Sequence, residues 1–176
     1  MNIPNLLTLF RILLVPIFVT LLIYGQTFYA FLAFMIAGVT DALDGFIARV
    51  FSQQTVLGAY LDPIADKLLL VTSYIVLAII GIIPPWLAVL VISRDIFILI
   101  GVAVLFLNHK SFEIRPTLLG KVSTFFQLAT VVIALSVAQP PLGLQPFLIG
   151  SIYLAAALTL LSGFHYTFLW VRQMGE

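Results

Sequence analysis

Asp41-Ala-Leu-Asp44-Gly45-Phe-Ile-Ala48-Arg49, followed after eight residues by Gly58-Ala-Tyr-Leu-Asp62-Pro-Ile-Ala-Asp66, crowds four carboxylates into 26 residues of a chain that is 62% hydrophobic. Each acid pair lies inside an apolar run of membrane-spanning length, roughly residues 28 to 51 and 59 to 82. One Asp at mid-bilayer costs about 2.5 to 3.5 kcal/mol, so four near that depth cost roughly 10 kcal/mol before any partner is found. The cluster therefore calls for a cation in its midst.

Outward from this stretch, the composition sets the class. A mean hydropathy of +1.21, 9% charged residues and a net charge of +1 over 176 residues exclude a solvated globular domain and a nucleic-acid binder, which needs a basic surface. Spans of about 20 apolar residues cross a bilayer as helix. Six are read here: 5 to 24, 28 to 51, 59 to 82, 85 to 107, 117 to 138 and 146 to 171. Backbone in lipid must satisfy itself, and the alternation of a barrel strand is missing, so the spans are expected to be helices. The expected fold is all-α: one polytopic membrane domain over residues 1–176, six transmembrane helices in a single bundle. The N-terminal run lacks a preceding basic residue, contains Arg11 and shows no small-residue cleavage site, so it reads as a retained first helix rather than a secretory signal. With no cysteine in the chain, disulfide and thiolate chemistry are excluded.

Orientation follows from the basic residues. The connections at Gly25-Gln26, Ile83-Pro84-Pro85 and Gln139 to Pro146 contain no Lys or Arg. The eight basic residues are Arg11, Arg49, Lys67, Arg94, Lys110, Arg115, Lys121 and Arg172, in the other connections, near those ends of the helices or within spans. The positive-inside rule then puts both termini and the loops near 52–58 and 108–116 in the cytoplasm, with the protein integral to the cell (inner) membrane. The second span runs inward and the third outward. Asp41 and Asp44 share one helix face with Gly45 and Ala48, and Asp62 and Asp66 share another. At 1.5 Å per residue, Asp44 lies about 10 Å below the cytoplasmic end of its helix. The four carboxylates converge beneath the inner surface.

Like charges at that separation cannot all stay ionised without a partner. Two readings follow: protonated carboxyls, as in a proton relay, or carboxylates bound to hard divalent cations. All-oxygen ligands with no His or Cys nearby suit Mg²⁺ or Mn²⁺ rather than Zn²⁺, and four acids on two facing helices suffice for two ions. Structural pairing with Arg49, Lys67 and Arg94 would neutralise the acids yet leave Gly45, Ala48 and Gly58 unexplained. Taken singly those small residues signal close helix packing; beside the acids they clear a floor for a bulky ligand, which with metals suggests a nucleoside diphosphate.

These residues resemble the CDP-alcohol phosphotransferase family, whose pattern D-x2-D-G-x2-A-R-x8-G-x3-D-x3-D is matched without departure from Asp41 to Asp66. The likeness extends along the chain. Asn2-Ile-Pro-Asn5-Leu-Leu-Thr8-Leu-Phe-Arg11 is similar to the opening of bacterial phosphatidylglycerophosphate synthases, and Gly120-Lys121-Val-Ser-Thr124-Phe-Phe-Gln127 to the start of their fifth span. The resemblance implies that Asp41, Asp44, Asp62 and Asp66 hold two Mg²⁺ or Mn²⁺ ions, with Asp66 also the general base on the acceptor hydroxyl. It implies that Gly45, Ala48, Gly58, Asn5 and Thr8 border the nucleotide. Arg49 is expected there too, on phosphate or bracing the acids. It further implies CDP-diacylglycerol as donor, membrane lipids as surroundings and a homodimer. Direct displacement needs no enzyme nucleophile, and His109 and His165 read as interfacial residues.

A cationic pocket beside the metals would recognise an acceptor bearing phosphate. Arg94, Arg115, Lys121 and Arg11 are its candidate residues, with positive-inside anchoring the plainer role for Arg115 and Lys121. Arg94-Asp95, an ionisable pair mid-span, is a functional feature by default, or a strut of the bundle. Glycerol 3-phosphate is the expected acceptor. Ser93-Arg94-Asp95, Arg115-Pro-Thr and Gly120-Lys121 are similar as well to CMP-forming cardiolipin synthases, whose acceptor is phosphatidylglycerol. A divalent-cation or proton-coupled transporter is the alternative from another class, disfavoured because the outer helix ends offer no ionisable residue to line a path.

Overall fold

The computed structural model describes residues 3–50, 56–107, 117–138 and 145–174, with the backbone alone at 3–5, 42, 44–50, 56–60, 62–63, 102–103, 105–107 and 171–174. These residues form six helices: α1 (Ile3–Ile23), α2 (Thr27–Val50), α3 (Val56–Ile79), α4 (Pro85–Leu107), α5 (Leu118–Val137) and α6 (Gln145–Met174). Long runs of Leu, Ile, Val, Ala and Phe without interior turn chemistry favour uninterrupted helix. Among the described residues, three helices contain stretches long and apolar enough to cross a membrane: Leu6–Ile23, Leu118–Val137 and Gln145–Trp170.

The helix ends have local causes. α1 and α3 each stop at a glycine in the left-handed region, Gly25 at φ 71° and Gly81 at φ 77°. Gly25 N–H bonds Leu22 O at 3.0 Å and Gln26 N–H bonds Leu21 O at 2.8 Å; Gly81 and Ile82 repeat the pattern on Ala78 and Leu77 at 3.2 and 2.9 Å. This is the Schellman arrangement, which satisfies the last carbonyls and reverses the chain. The third helix thus ends at Ile79 rather than at the expected 82, because composition registers Ile80, Ile82 and Ile83 as apolar but not as turn. α4 opens with Pro85, whose fixed φ suits a first helical position. Thr117 caps α5 by accepting from the Gly120 N–H at 3.1 Å. Pro16 lies within α1, which continues through it.

α1 packs on α2 and α3, α4 on α3 and α6, and α5 on α6, with α5 also touching α2 and α3. The core is built of Phe18, Ala30, Phe34, Leu70, Tyr74, Leu77, Val91 and Leu135, among others. Small residues let helices approach. At Gly101 an added Cβ would sit 2.0 Å from the Trp170 ring, so the indole lies directly on the α4 backbone, flanked by Phe97 at 5.1 Å between ring centroids. The outer surface is apolar on every helix, with Leu13, Ile36, Ile64, Leu99, Phe125 and Phe164 all exposed, whereas Arg11, Arg94, Asp95, Ser123, Gln127 and Thr159 are buried. That inversion suits a bundle solvated by lipid, where polar side chains turn inward.

Candidate active site

α2 and α3 bring the acid stretch together through Asp41 and Asp66. Both carboxylates are half-exposed, at 48%, and they meet at a single group from α1. Arg11 Nη1 lies 2.9 Å from Asp41 Oδ1 and also donates to Asp66 Oδ1. Arg11 stands nine residues into α1, one turn after the buried Thr8, and is 1% exposed. A guanidinium so deep in apolar packing survives because it is paired. The expected convergence of the second and third spans therefore holds for one acid of each pair. The side chains of Asp44, Asp62, Ala48, Arg49 and Asn5 lie outside the described residues, as do the surroundings of Gly45 and Gly58 and the whole of Arg115.

Asp41 and Asp66 line a cavity of about 160 Å³ with Arg11, Gly38, Lys67 and Thr124. Through Lys67, Thr124 and Leu128 it adjoins a larger groove of about 760 Å³ between α3, α4, α5 and α6. Its polar lining is Lys67, Arg94, Asp95, Lys121 and Tyr166, with Thr124. Val71, Ile96, Leu99 and Phe125 form much of its wall. Arg94 and Lys121 thus line one groove, while Arg11 lies with the acids in the adjoining cavity.

Arg94 is braced on three sides. Its Nη1 donates to Asp95 Oδ1 at 2.7 Å, its Nη2 donates to Ser162 Oγ at 2.7 Å, and its Cζ lies 5.8 Å from the centre of the Tyr166 ring. Its Nε is buried without a hydrogen-bond partner among the described residues. Asp95 also accepts from Lys67 Nζ, so one carboxylate joins cations of α3 and α4. The strut and the functional reading of Arg94 are therefore compatible: both terminal nitrogens hold the bundle while Nε remains. Lys121 is exposed and forms no ion pair among the described residues. Three cations against Asp95 leave the groove with two positive charges.

The sequence reading did not place Lys67 or Tyr166 in this groove, nor Ser162 beside Arg94; Tyr166 and Ser162 lie late in α6, where nothing but composition marks them. Nor did it find the buried network joining α5 to α6, in which Gln127 Nε2 donates to Thr159 Oγ1 at 2.9 Å and Tyr74 from α3 donates to the Gln127 carbonyl at 3.1 Å. A Ser-x3-Gln spacing in an otherwise apolar helix was the available signal.

Whether a divalent ion fits can be judged from the two described acids. Their Oδ1 atoms share the Arg11 Nη1 donor and form an all-oxygen pair of the kind hard divalent ions take, while no group of three or more acidic, His or Cys side chains gathers among the described residues.

Comparison with known proteins agrees with this chemistry. The family model for CDP-alcohol phosphatidyltransferase matches residues 1–171. A Shigella flexneri CDP-diacylglycerol–glycerol-3-phosphate 3-phosphatidyltransferase is 37% identical over 94% of this chain and 92% of its own length. A probable phosphatidylglycerophosphate synthase of Mycobacterium tuberculosis is 34% identical over 99% of this chain and 84% of its own length. A probable CMP-forming cardiolipin synthase of Drosophila melanogaster is 34% identical over 96% of this chain, which spans 59% of that relative.

Proposed function

Since this chain belongs to the CDP-alcohol phosphatidyltransferase family, we propose that it transfers the phosphatidyl group of CDP-diacylglycerol to the hydroxyl of a phosphate-bearing acceptor. Glycerol 3-phosphate is the first candidate, giving phosphatidylglycerophosphate and CMP. The observation that carries the reading is the meeting of Asp41 and Asp66 at the end of a cationic groove. The acceptor oxygen attacks phosphorus, the bond to CMP breaks, and CMP departs with the electron pair. Asp66 takes the hydroxyl proton, a role open to a carboxylate within hydrogen-bond reach of the acceptor. Asp41, Asp44, Asp62 and Asp66 would hold two Mg²⁺ or Mn²⁺ ions, which when bound would neutralise charge on the diphosphate. Gly45, Ala48, Gly58, Arg49, Asn5 and Thr8 are proposed to border the nucleotide.

Lys121 and Arg94, with Arg115 from the connection before α5, are proposed to hold the acceptor phosphate, since guanidinium and ammonium groups recognise it directly. A second acceptor is favoured by one observation: the groove wall is largely apolar and 760 Å³ in volume, more than a glycerol phosphate needs and suited to an acyl chain. Phosphatidylglycerol would be that acceptor and cardiolipin the product. The three relatives above are named as synthases or transferases, none as a transporter.

We also propose that all six helices span the inner membrane with both termini cytoplasmic, and that the protein works as a homodimer. CDP-diacylglycerol keeps its chains in the leaflet, so a site just under the cytoplasmic surface meets its diphosphate without extracting the lipid. Purified protein given CDP-diacylglycerol, Mg²⁺ or Mn²⁺, and either labelled glycerol 3-phosphate or labelled phosphatidylglycerol tests the function. CMP release with one label entering lipid identifies the acceptor; no CMP release with either removes the proposal.

A further inference from the structure

Among the described residues Arg11 is the most deeply buried charged side chain, and it touches the two carboxylates expected to bind metal. Its Nη1 contacts Oδ1 of Asp41 and Oδ1 of Asp66 together, drawing on α2 and α3, the two helices against which α1 packs. Both acids are half-exposed and line the same cavity as Arg11, about 160 Å³ in volume. That is room for an ion and a few waters at roughly 30 Å³ each. The guanidinium thus already engages one oxygen of each carboxylate that a divalent ion would draw on. Two cations cannot both draw fully on one pair of oxygens, and they repel each other at such range.

We propose that Arg11 competes with the divalent ion for Asp41 and Asp66, holding the two acids together in the metal-free protein and lowering the affinity with which they take the ion. The inference rests on the metal reading given above. Two effects act in the same direction. Without the guanidinium the facing acids repel each other in the metal-free protein, and the metal-loaded protein is relieved of a neighbouring positive charge. Both enlarge what the ion contributes. The arrangement keeps the acids compensated while ions exchange, which matters in a bundle where an unpaired buried charge is strongly destabilising. Arg11 is on this view a positioning residue.

The test is a Mn²⁺ titration of the full-length protein in detergent without substrate, read by loss of the free-ion EPR signal and by thermal melting. Arg11→Met is expected to bind Mn²⁺ about tenfold more tightly than the wild type, about 1.4 kcal/mol. Its metal-free form should melt at lower temperature, and Mn²⁺ should raise its Tm by more than in the wild type, as mass action requires of a tighter ligand. Arg11→Gln, which keeps a polar side chain, carries the same expectation should the Met variant not accumulate folded. Arg11→Lys retains the charge and should titrate like the wild type. Unchanged or weaker Mn²⁺ binding by the Met or Gln variant overturns the proposal. A wild type that takes up no Mn²⁺, or Asp41→Asn binding it as the wild type does, overturns instead the metal reading beneath it.

Discussion

Asp66 is asked to do two things: help hold a divalent ion and accept the proton of the acceptor hydroxyl. Its surroundings permit both, since Arg11 stands on one side and the cavity on the other. Replacing it by Asn keeps its size and leaves Arg11 paired with Asp41 at 2.9 Å. Asp66→Asn should therefore fold and melt close to the wild type while losing about 100-fold or more of its CMP release, the scale of a missing general base. Measuring CMP formation and melting on the same preparation checks this, and full activity would remove Asp66 from the proton transfer. Arg94, proposed as an acceptor residue, is held in place by the fold: Asp95 and Ser162 occupy its terminal nitrogens.

Between α4 and α6, the Trp170 ring lies against the Gly101 backbone where a side chain would otherwise stand. Trp170 is buried and flanked by Phe97, so the ring has little freedom to withdraw. Gly101→Ala is expected to destabilise the protein by about 1–3 kcal/mol, the usual cost of overpacking, lowering its melting temperature in detergent; an unchanged Tm would show that the indole has another rotamer open to it. α5 and α6 are held differently, by Gln127, Ser123 and Thr159 across the interface. Such hydrogen bonds substitute in lipid for the hydrophobic drive that is missing between apolar helices.

For the molecule as a whole, an apolar exterior around buried Arg11, Arg94 and Asp95 suits a bundle that lipid surrounds, and the proposed orientation can be tested directly. Because the chain has no cysteine, single cysteines report topology without background. Gln26→Cys, in the turn between α1 and α2, should react with a membrane-impermeant maleimide in intact spheroplasts. Ser52→Cys should react only after the membrane is opened. The reverse labelling pattern would invert the orientation and put the acid site on the outer side.

Much of this was readable from the chain because it depends on local or compositional physics. Apolar run length indicated six helices, and the acid spacing indicated that the second and third helices bring acids together, as Asp41 and Asp66 do. The fixed spacings from Asp41 to Asp66 were enough to indicate the family. What required the tertiary structure were the partners. Arg11 read as an acceptor residue because linear sequence gives a charge no address, and only the packing of α1 on α2 and α3 sets it between Asp41 and Asp66. The same holds for Lys67 and Arg94 sharing Asp95, and for the groove itself. Helix period is a property of neighbours along the chain, whereas which buried charge meets which is decided by how whole helices pack.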